Sequence, residues 1–295
     1  MADCAVPIFV SVSWLKDNLN KPGIKVMDGT WHMPMWKRDS QVEYETQHIE
    51  GAVKFNVDAV ADKSSDLPRA LPPIEQFEDY IGKLGISSTD HVVVYDNNAN
   101  FGMFSAPRVW YTFKLYGHDK VSVLDGGLPK WLEAGGPVES GKPQVEAVTY
   151  KGSYHPELFV NFEGALQAYK NNPAQILDAR PVGRFEGRDP EPNPKIPSGR
   201  IIGSTNVFWR QFIDPETKQI KNNEGIQKVF SDAGVNLDNP NIASCGSGTT
   251  ACWIAISASL CNKAMPVYTG SWIDWYKRGP EDSKIIGVKG EDLNK

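Results

Sequence analysis

Residues 241–260 read NIASCGSGTTACWIAISASL and combine a strand, a turn and a helix in one stretch. The residues up to Ser244 are typical of a strand end, and the small and apolar residues from Thr250 onward predict a helix. Between them, Cys245 begins a short loop with two glycines and small side chains, which lets the backbone curl tightly. The stretch therefore predicts an α/β unit with a cysteine at the carboxyl end of a strand, where parallel sheets bind ligands.

The curled loop has a chemical consequence for Cys245. Several N–H groups of residues 245–250 would point inward, and the start of the helix adds positive potential. An anion in that cradle is stabilised, and a cysteine thiolate is such an anion. We therefore predict that Cys245 is a nucleophile. The residues predicted to form its active-site loop are Gly246, Ser247, Gly248, Thr249 and Thr250.

The cysteines allow two other interpretations. A buried cysteine before an ordinary glycine-rich turn would give the same local pattern at Cys245. Cysteine-dependent phosphatases use a similar cradle, Cys-x5-Arg, but the sixth residue after Cys245 is Ala251, so phosphoryl transfer is poorly supported. Cys252 and Cys261 do not have the spacing of zinc ligands and no histidine cluster accompanies them, which predicts core packing and no metal site.

An internal repeat organises the whole chain. VMDGTW near the N-terminus resembles ILDARP in the second half, and VSVLDGGLPKW resembles MPVYTGSWIDW. Three landmark pairs have nearly constant offsets: Asp28 and Asp178 by 150 residues, Gly51 and Gly203 by 152, and Asp96 and Cys245 by 149. The repeat predicts two homologous halves. Because Asp96 stands where the second half has Cys245, one copy is expected to work and the other to be structural.

Within each half, short β-branched runs such as HVVVYD alternate with amphipathic stretches such as PIEQFEDYIGKLG. This alternation predicts an α/β fold in which each domain has a mostly parallel sheet flanked by helices. The Gly/Pro/Ser-rich segment 133–144 is typical of loop and linker. We expect an N-terminal, non-catalytic domain over 1–140, a linker over 141–158 and a C-terminal, catalytic domain over 159–295.

The composition of the 295 residues excludes several classes of protein. The net charge is −5, and no basic run of the kind that binds nucleic acid occurs. No uncharged apolar run approaches the roughly 18 residues that span a bilayer. The four cysteines do not make a disulfide framework, and no secretory or transit signal is recognised at the N-terminus. These features predict a cytoplasmic protein without nucleic-acid or membrane partners, and leave a mitochondrial pool open.

The motifs SAPRVWYTFKLYGH, LDGGLPKW, GRFEGRDPEP, CGSGTTAC and GSWIDWY together resemble those of the tandem-rhodanese sulfurtransferases, over essentially the whole chain. The resemblance implies two rhodanese-like domains with the active site in the cleft between them. The loop CGSGTT is similar to the C-G-S-G-V-T pattern of the branch that acts on 3-mercaptopyruvate. It differs from the C-R-K-G-V-T pattern of rhodaneses that prefer thiosulfate.

The resemblance also implies a reaction. Cys245 would take a sulfur atom from 3-mercaptopyruvate, hold it as a persulfide and pass it to a thiol such as thioredoxin or glutathione, or to cyanide, releasing pyruvate. No cofactor or metal is implied, because the cysteine itself carries the transferred group. Thiosulfate is the alternative donor. An inactive rhodanese-like binding module is the third hypothesis, and the cysteine and glycines of the loop count against it.

Further site residues follow from the resemblance. Arg184, in GRFEGRDPEP, matches the arginine that binds the substrate carboxylate, for which a guanidinium is a planar, bidentate partner. Asp58 and Ser247 match members of a Ser-His-Asp relay, but Arg69 stands where the histidine would be. We expect Ser247 to donate a hydrogen bond to the substrate and Arg69 to act as a cation. Asn193 stands where many relatives have a second arginine.

Overall fold

The computed structural model describes residues 6–171 and 174–289, so Cys4 lies outside the described residues. The chain divides into two compact units. Unit 1 contains Met1–Ser64, Leu71–His155 and Asp214–Ile220, and unit 2 contains Ser65–Ala70, Pro156–Ile213 and Lys221–Lys295. The domain limits 1–140, 141–158 and 159–295 stay a prediction.

Unit 1 is built on a five-stranded parallel sheet in the order β1-β6-β5-β2-β4, with a two-stranded antiparallel sheet of β3 and β7. Its strands are β1 Phe9–Val10, β2 Ile24–Asp28, β3 His48–Ile49, β4 Val53–Lys54, β5 His91–Tyr95, β6 Val121–Leu124 and β7 Val138–Glu139. Its helices are α1 Val12–Asn18, α2 Ser40–Thr46, α3 Val57–Val60, α4 Ile74–Lys83, α5 Ala106–Leu115 and α6 Gly127–Glu133.

The segment after α6 is more ordered than the sequence predicts. Residues 133–144 were expected to be loop, but they contain β7, where Val138 pairs with Ile49. A two-residue strand is too short for alternation of polar and apolar residues to reveal it. Further on, the N–H of Val148 donates to Gly82 O at 3.0 Å, so the chain continues along α4 within unit 1.

Unit 2 has a five-stranded parallel sheet in the order β8-β13-β12-β9-β11 and an antiparallel pair of β10 and β14. Its strands are β8 Phe159–Val160, β9 Gln175–Asp178, β10 Gly199–Ile201, β11 Thr205–Asn206, β12 Asn241–Ser244, β13 Val267–Tyr268 and β14 Lys284–Ile286. Its helices are α7 Phe162–Asn171, α8 Val182–Phe185, α9 Asn223–Asp232, α10 Ala251–Leu260 and α11 Ser271–Arg278.

The two sheets have the same strand order, which confirms the predicted α/β repeat. β5 and β12 are the central strands, and both are buried along their whole length. Parallel strands covered on both faces carry continuous apolar runs rather than an alternating pattern, as HVVVY does in β5. Helix α10 is also buried from Ala251 to Ala258, so the loop between β12 and α10 is attached to the core at both ends.

Within the residues that the structure describes, no helix combines the length and the apolar composition needed to cross a membrane.

Candidate active site

Cys245 lies directly after β12, as predicted, and is buried. The start of α11 holds the loop from one side. The N–H of Trp272 donates to Cys245 O at 3.0 Å, and the N–H of Ile273 donates to Gly246 O at 3.1 Å. The first N–H groups of a helix have no partner within the helix, so these two bonds satisfy α11 and fix the loop together.

The sulfur of Cys245 lies within reach of the loop's own backbone. The N–H of Gly248 donates to Cys245 Sγ at 3.1 Å. Gly248 has a φ of +81°, a left-handed conformation that glycine adopts without strain, and this turns its amide toward the sulfur. Thr249 and Thr250 are buried and lead into α10. The sulfur thus lies against the N–H of Gly248, with Ser271 Oγ at 4.0 Å, shortly before the start of α10.

The neighbouring cysteines have other surroundings. Cys252 is buried in α10, and its thiol donates to Gly248 O at 3.4 Å. Cys261 is partly exposed at the end of the same helix. Cys245, Cys252 and Cys261 carry thiol groups that are not joined in disulfides. In the described ranges 6–171 and 174–289, no group of three or more His, Cys, Asp or Glu side chains could hold a metal ion.

Ser247 and Arg69 lie together. Arg69 belongs to the segment Ser65–Ala70, which is part of unit 2, and its Nη2 donates to Ser247 Oγ at 2.8 Å. The backbone of Arg69 has a φ of +56°, which is unfavourable for a residue with a side chain. Two residues that are 178 positions apart in the chain are thus joined at the loop of Cys245.

Asp58, the third residue of the relay that the resemblance implies, is part of unit 1. It lies in the first turn of α3, which Asn56 caps. The indole Nε1 of Trp31 donates to Asp58 Oδ2 at 3.0 Å.

Arg184 lies in α8 beside the loop, and its side chain is 14 % exposed. A Cβ added to Gly246 would lie 3.3 Å from Arg184 Nη2, which shows how close the guanidinium is to the loop. Arg184 contacts the buried Glu191 through Nη2, at 3.2 Å from Oε2, and through Nε, at 3.4 Å from Oε1. A second carboxylate would meet the other edge of the guanidinium, formed by Nη1 and Nη2.

Glu191 is shared with a second arginine. Arg180, fully buried, donates to Glu191 Oε1 at 2.7 Å through Nη1, to Asp178 Oδ1 at 3.0 Å through Nε and to Asp178 Oδ2 at 2.6 Å through Nη2. Burial opposes the charge on Arg180, but the two carboxylates prevail and raise its pKa. Asp178, Arg180, Arg184 and Glu191 therefore form a network of two positive and two negative charges that sets the position of Arg184.

Two residues of this site were not predicted. Glu191 lies in the motif GRDPEP, within seven residues of Arg184 and Arg188. A carboxylate so near two arginines in the sequence could have indicated an ion pair at this site. Ser271 is fully buried, and its Oγ accepts the N–H of Cys245 at 3.0 Å. Ser271 belongs to the motif TGSWIDW, whose counterpart in the first half is DGGLPKW, so the repeat aligns it with Gly127.

The corresponding loop of unit 1 already contains an anion. Asp96 follows β5 as Cys245 follows β12, and Leu128 donates to Asp96 O at 3.0 Å as Trp272 does to Cys245 O. Asp96 Oδ2 accepts three consecutive backbone N–H groups at the start of α5, those of Phe104, Ser105 and Ala106. Burial raises the pKa of Asp96 to about 6 although these bonds oppose it. The cradle of unit 1 is thus filled by the chain's own carboxyl group.

Comparison with known proteins gives consistent results. The model of the family "Rhodanese-like domain" matches residues 11–134. The chain is 39 % identical over 289 residues to the 3-mercaptopyruvate sulfurtransferase of Rattus norvegicus, covering 96 % of this chain and 97 % of the relative. It is 38 % identical over 282 residues to the thiosulfate sulfurtransferase of the same organism, covering 94 % of each.

Solved structures agree with these relatives. SseA from Escherichia coli, whose structure was described for the fold and mechanism of 3-mercaptopyruvate sulfotransferases, matches with a TM-score of 0.82 and 33 % identity. That match covers 90 % of this chain and 99 % of SseA. The Tum1 protein of Saccharomyces cerevisiae matches with a TM-score of 0.81 and 30 % identity, over 96 % of this chain and all of Tum1.

Proposed function

Because the chain belongs to the tandem-rhodanese sulfurtransferase family, we propose that it moves sulfur from 3-mercaptopyruvate to a thiol through a persulfide on Cys245. The observation that carries the proposal is the 3.1 Å contact between the N–H of Gly248 and Cys245 Sγ. It places a backbone hydrogen-bond donor against the sulfur of a cysteine at the end of a central strand, the atom that would carry the transferred sulfur.

The first half-reaction transfers one sulfur atom. The thiolate of Cys245 attacks the sulfur of mercaptopyruvate, the S–S bond forms and the C–S bond breaks. The electron pair of the broken bond passes to the carbon next to the carbonyl, which gives the enolate of pyruvate. A proton, supplied by the transferred S–H or by water, then yields pyruvate. In the second half-reaction an acceptor thiolate attacks the outer sulfur and releases Cys245 as a thiolate.

The repeat supports the role of the loop as an anion cradle. Asp96, the counterpart of Cys245, directs its carboxyl group at three N–H groups that begin α5. Counted from the first residue of each helix, their counterparts in unit 2 are the N–H groups of Thr249, Thr250 and Ala251. The same backbone that receives a carboxyl group in one half would receive the outer sulfur of a persulfide in the other, because both are anions that need several donors.

In this proposal Arg184 binds the carboxylate group of the sulfur donor, 3-mercaptopyruvate. Its ion pair with Glu191 uses Nε and Nη2, and this fixes the plane of the guanidinium beside Gly246. A carboxylate on the edge of Nη1 and Nη2 would make two parallel hydrogen bonds. A fixed arginine costs less conformational entropy on binding than a mobile one. Ser247 Oγ accepts a hydrogen bond from Arg69. Its own O–H can then donate a hydrogen bond to the carbonyl or carboxylate group of 3-mercaptopyruvate.

The acceptor in this proposal is a reduced thiol, such as thioredoxin or glutathione. We place the reaction in the cytoplasm, with a mitochondrial pool to be tested by fractionation. The support for a reducing compartment is the proposed chemistry itself, which needs Cys245 and the acceptor as thiols.

Thiosulfate is the second candidate donor, and one observation favours it. Arg69 brings a guanidinium to the loop through Ser247, and a dianion gains more than a monoanion from a nearby cation. The ratio of kcat/KM for the two donors therefore decides between the candidates.

The test is direct detection of the persulfide. Wild-type protein incubated with 3-mercaptopyruvate should gain one sulfur atom on the peptide that contains Cys245, in step with the release of one pyruvate. Cys245→Ser should gain none, because a hydroxyl oxygen cannot carry the sulfur, whereas Cys252→Ser is the matched control in the adjoining helix and should still react. Sulfur transfer by Cys245→Ser at an appreciable rate would overturn the proposal.

A further inference from the structure

Two residues with a strained backbone contact the loop of Cys245. Among the residues that the structure describes, five non-glycine residues have a positive φ: Lys37, Arg69, Lys218, Asn262 and Ser271. Two of them contact the loop, Arg69 through Ser247 and Ser271 through Cys245. Ser271, with a φ of +53°, is the buried one of the five. Residues kept in unfavourable conformations in an otherwise regular fold point to a local function.

The other half of the chain shows what this position requires. Gly127 begins α6 as Ser271 begins α11, and its φ of +59° is nearly the same. A Cβ on Gly127 would lie 2.4 Å from Asp96 O and 2.6 Å from Gly102 O, so glycine is required there. The loop of unit 2 is shorter, since Cys245 is six positions before the first residue of α10, whereas Asp96 is ten positions before that of α5. Ser271 thus has a side chain where the first half must have none.

The side chain has a defined set of contacts. Ser271 Oγ accepts the N–H of Cys245 at 3.0 Å and donates to Tyr268 O at 2.7 Å, and it lies 4.0 Å from Cys245 Sγ. The hydroxyl of Tyr268 in turn donates to the buried Asp274 at 2.9 Å, which ties the end of β13 to the first turns of α11. Glycine would satisfy the backbone without strain but could not make the bond to Cys245.

We propose that Ser271 is a positioning residue for the nucleophile. By holding the N–H of Cys245, its hydroxyl fixes the backbone of the cysteine, and so keeps Sγ where the N–H of Gly248 reaches it. Ser271 undergoes no chemical change in the reaction. The proposal rests on the proposed role of Cys245, and it adds a residue whose effect is on the rate of sulfur transfer rather than on donor binding.

Two substitutions separate the hydroxyl from the strain. Ser271→Gly removes the hydroxyl with its two hydrogen bonds and also relieves the left-handed strain, so the two effects partly offset each other and the protein should still fold. Its kcat and its single-turnover rate of persulfide formation should fall roughly 10- to 100-fold with KM for the donor unchanged, because misplacement of a reacting atom acts on the chemical step. Ser271→Ala should lose the same activity and have the lower Tm, since it keeps a Cβ at positive φ.

A matched control is available at the other end of α10. Asn262 has a φ of +59° and is exposed, so Asn262→Gly relieves similar strain far from the loop and should leave kcat unchanged. The rate of alkylation by iodoacetamide, localised to Cys245 by fragmentation of the peptide that it shares with Cys252 and Cys261, should fall in both Ser271 variants and not in Asn262→Gly.

The outcomes are distinct. The positioning role would be overturned if Ser271→Gly kept the kcat and the alkylation rate of the wild type. It would also be overturned if the fall in kcat were fully explained by a smaller fraction of folded protein. Absence of a persulfide in the wild type would instead overturn the proposed function.

Discussion

The guanidinium of Arg69 donates a hydrogen bond of 2.8 Å to Ser247 Oγ, two residues after Cys245. An arginine has only donors and stays protonated near neutral pH, so Ser247 must be the acceptor in this pair. Arg69 therefore cannot act as a proton acceptor for the serine, as a histidine in a relay would. Its effect is to orient the hydroxyl, whose proton is then directed elsewhere.

This pairing predicts a non-additive effect of two substitutions. Arg69→Met and Ser247→Ala should each lower kcat/KM for mercaptopyruvate, and the double variant should be little worse than the more damaging single one. A coupling energy of about 1–2 kcal/mol is expected for one charge-assisted hydrogen bond. A double-mutant cycle of kcat/KM measures it, and strictly additive effects would show that the two residues act separately.

Arg184 gives a prediction about donor binding. Arg184→Ala should lower kcat/KM for mercaptopyruvate roughly 10- to 1,000-fold, through loss of a charge-assisted pair worth about 1.5–4 kcal/mol. Arg184→Lys should recover only part of this, because an ammonium group cannot make two parallel bonds. The fold should survive, since Glu191 keeps its bond to Arg180. Unchanged kinetics in Arg184→Ala would remove this residue from the site.

Glu191 gives a prediction about stability. Glu191→Gln removes the charge that faces both the buried Arg180 and Arg184, so the free energy of unfolding should fall by about 3 kcal/mol. The matched control is Glu186→Gln in the same segment. Glu186 pairs with Arg188 at the exposed surface, and its replacement should change stability by no more than about 0.5 kcal/mol. Urea unfolding compares the two variants, and equal stabilities would contradict a structural role of the network.

The local features of the site could be predicted from the sequence, whereas the contacts between distant segments could not. The strand ending at Ser244 and the helix after Thr250 follow from a change of pattern over a few residues. The bond from Arg69 to Ser247 joins positions with no local relation. Ser271 was missed for another reason: a positive φ is normally indicated by glycine, and here the fold imposes it on a serine.

The repeat adds a prediction about pH. Asp96 has a pKa raised to about 6 in the folded protein, against 3.8 as the ordinary value. Below pH 3.8 both states bind the proton, and between 3.8 and 6 the unfolded chain releases it while the folded one keeps it. The free energy of unfolding therefore decreases as the pH rises from 3.8 to about 6. The decrease due to Asp96 is about 1.4 kcal/mol for each pH unit by which its pKa is raised.

Asp96→Asn removes this titration. The difference in Tm, variant minus wild type, should therefore increase from pH 4 to pH 6.5 and stay constant above it. Burial lowers the pKa of His91 to about 4, which has the opposite effect on stability. Subtracting the Tm of the wild type cancels this effect, because both proteins contain His91. A difference in Tm that does not change over this range would show that Asp96 titrates normally.

The last prediction concerns the donor, and it depends on charge in the loop. Gly246 and Ser247 are neutral, where the thiosulfate-preferring pattern has arginine and lysine, so wild type should prefer mercaptopyruvate. A cation at about 4 Å is worth about 4 kcal/mol at an effective dielectric constant near 20, before desolvation, and about twice that for a dianion. Gly246→Arg with Ser247→Lys should thus move the ratio of kcat/KM at least roughly tenfold toward thiosulfate.

The structure indicates that this double variant can be accommodated. Gly246 does not have a positive φ, and an added Cβ would lie 3.3 Å from Arg184 Nη2, 3.5 Å from Glu191 Oε2 and 3.8 Å from Arg180 Cδ, so only the end of the Arg184 side chain must shift, by a few tenths of an ångström. Because Ser247→Lys also removes the partner of Arg69, the control is Gly246→Gln with Ser247→Met, which has similar bulk and no charge. An equal change of ratio in the control would assign the effect to shape. The charge argument would be refuted if the wild-type enzyme had a kcat/KM for thiosulfate equal to or higher than that for mercaptopyruvate. Such a result would mean that the backbone amides and the existing arginines already bind a dianion.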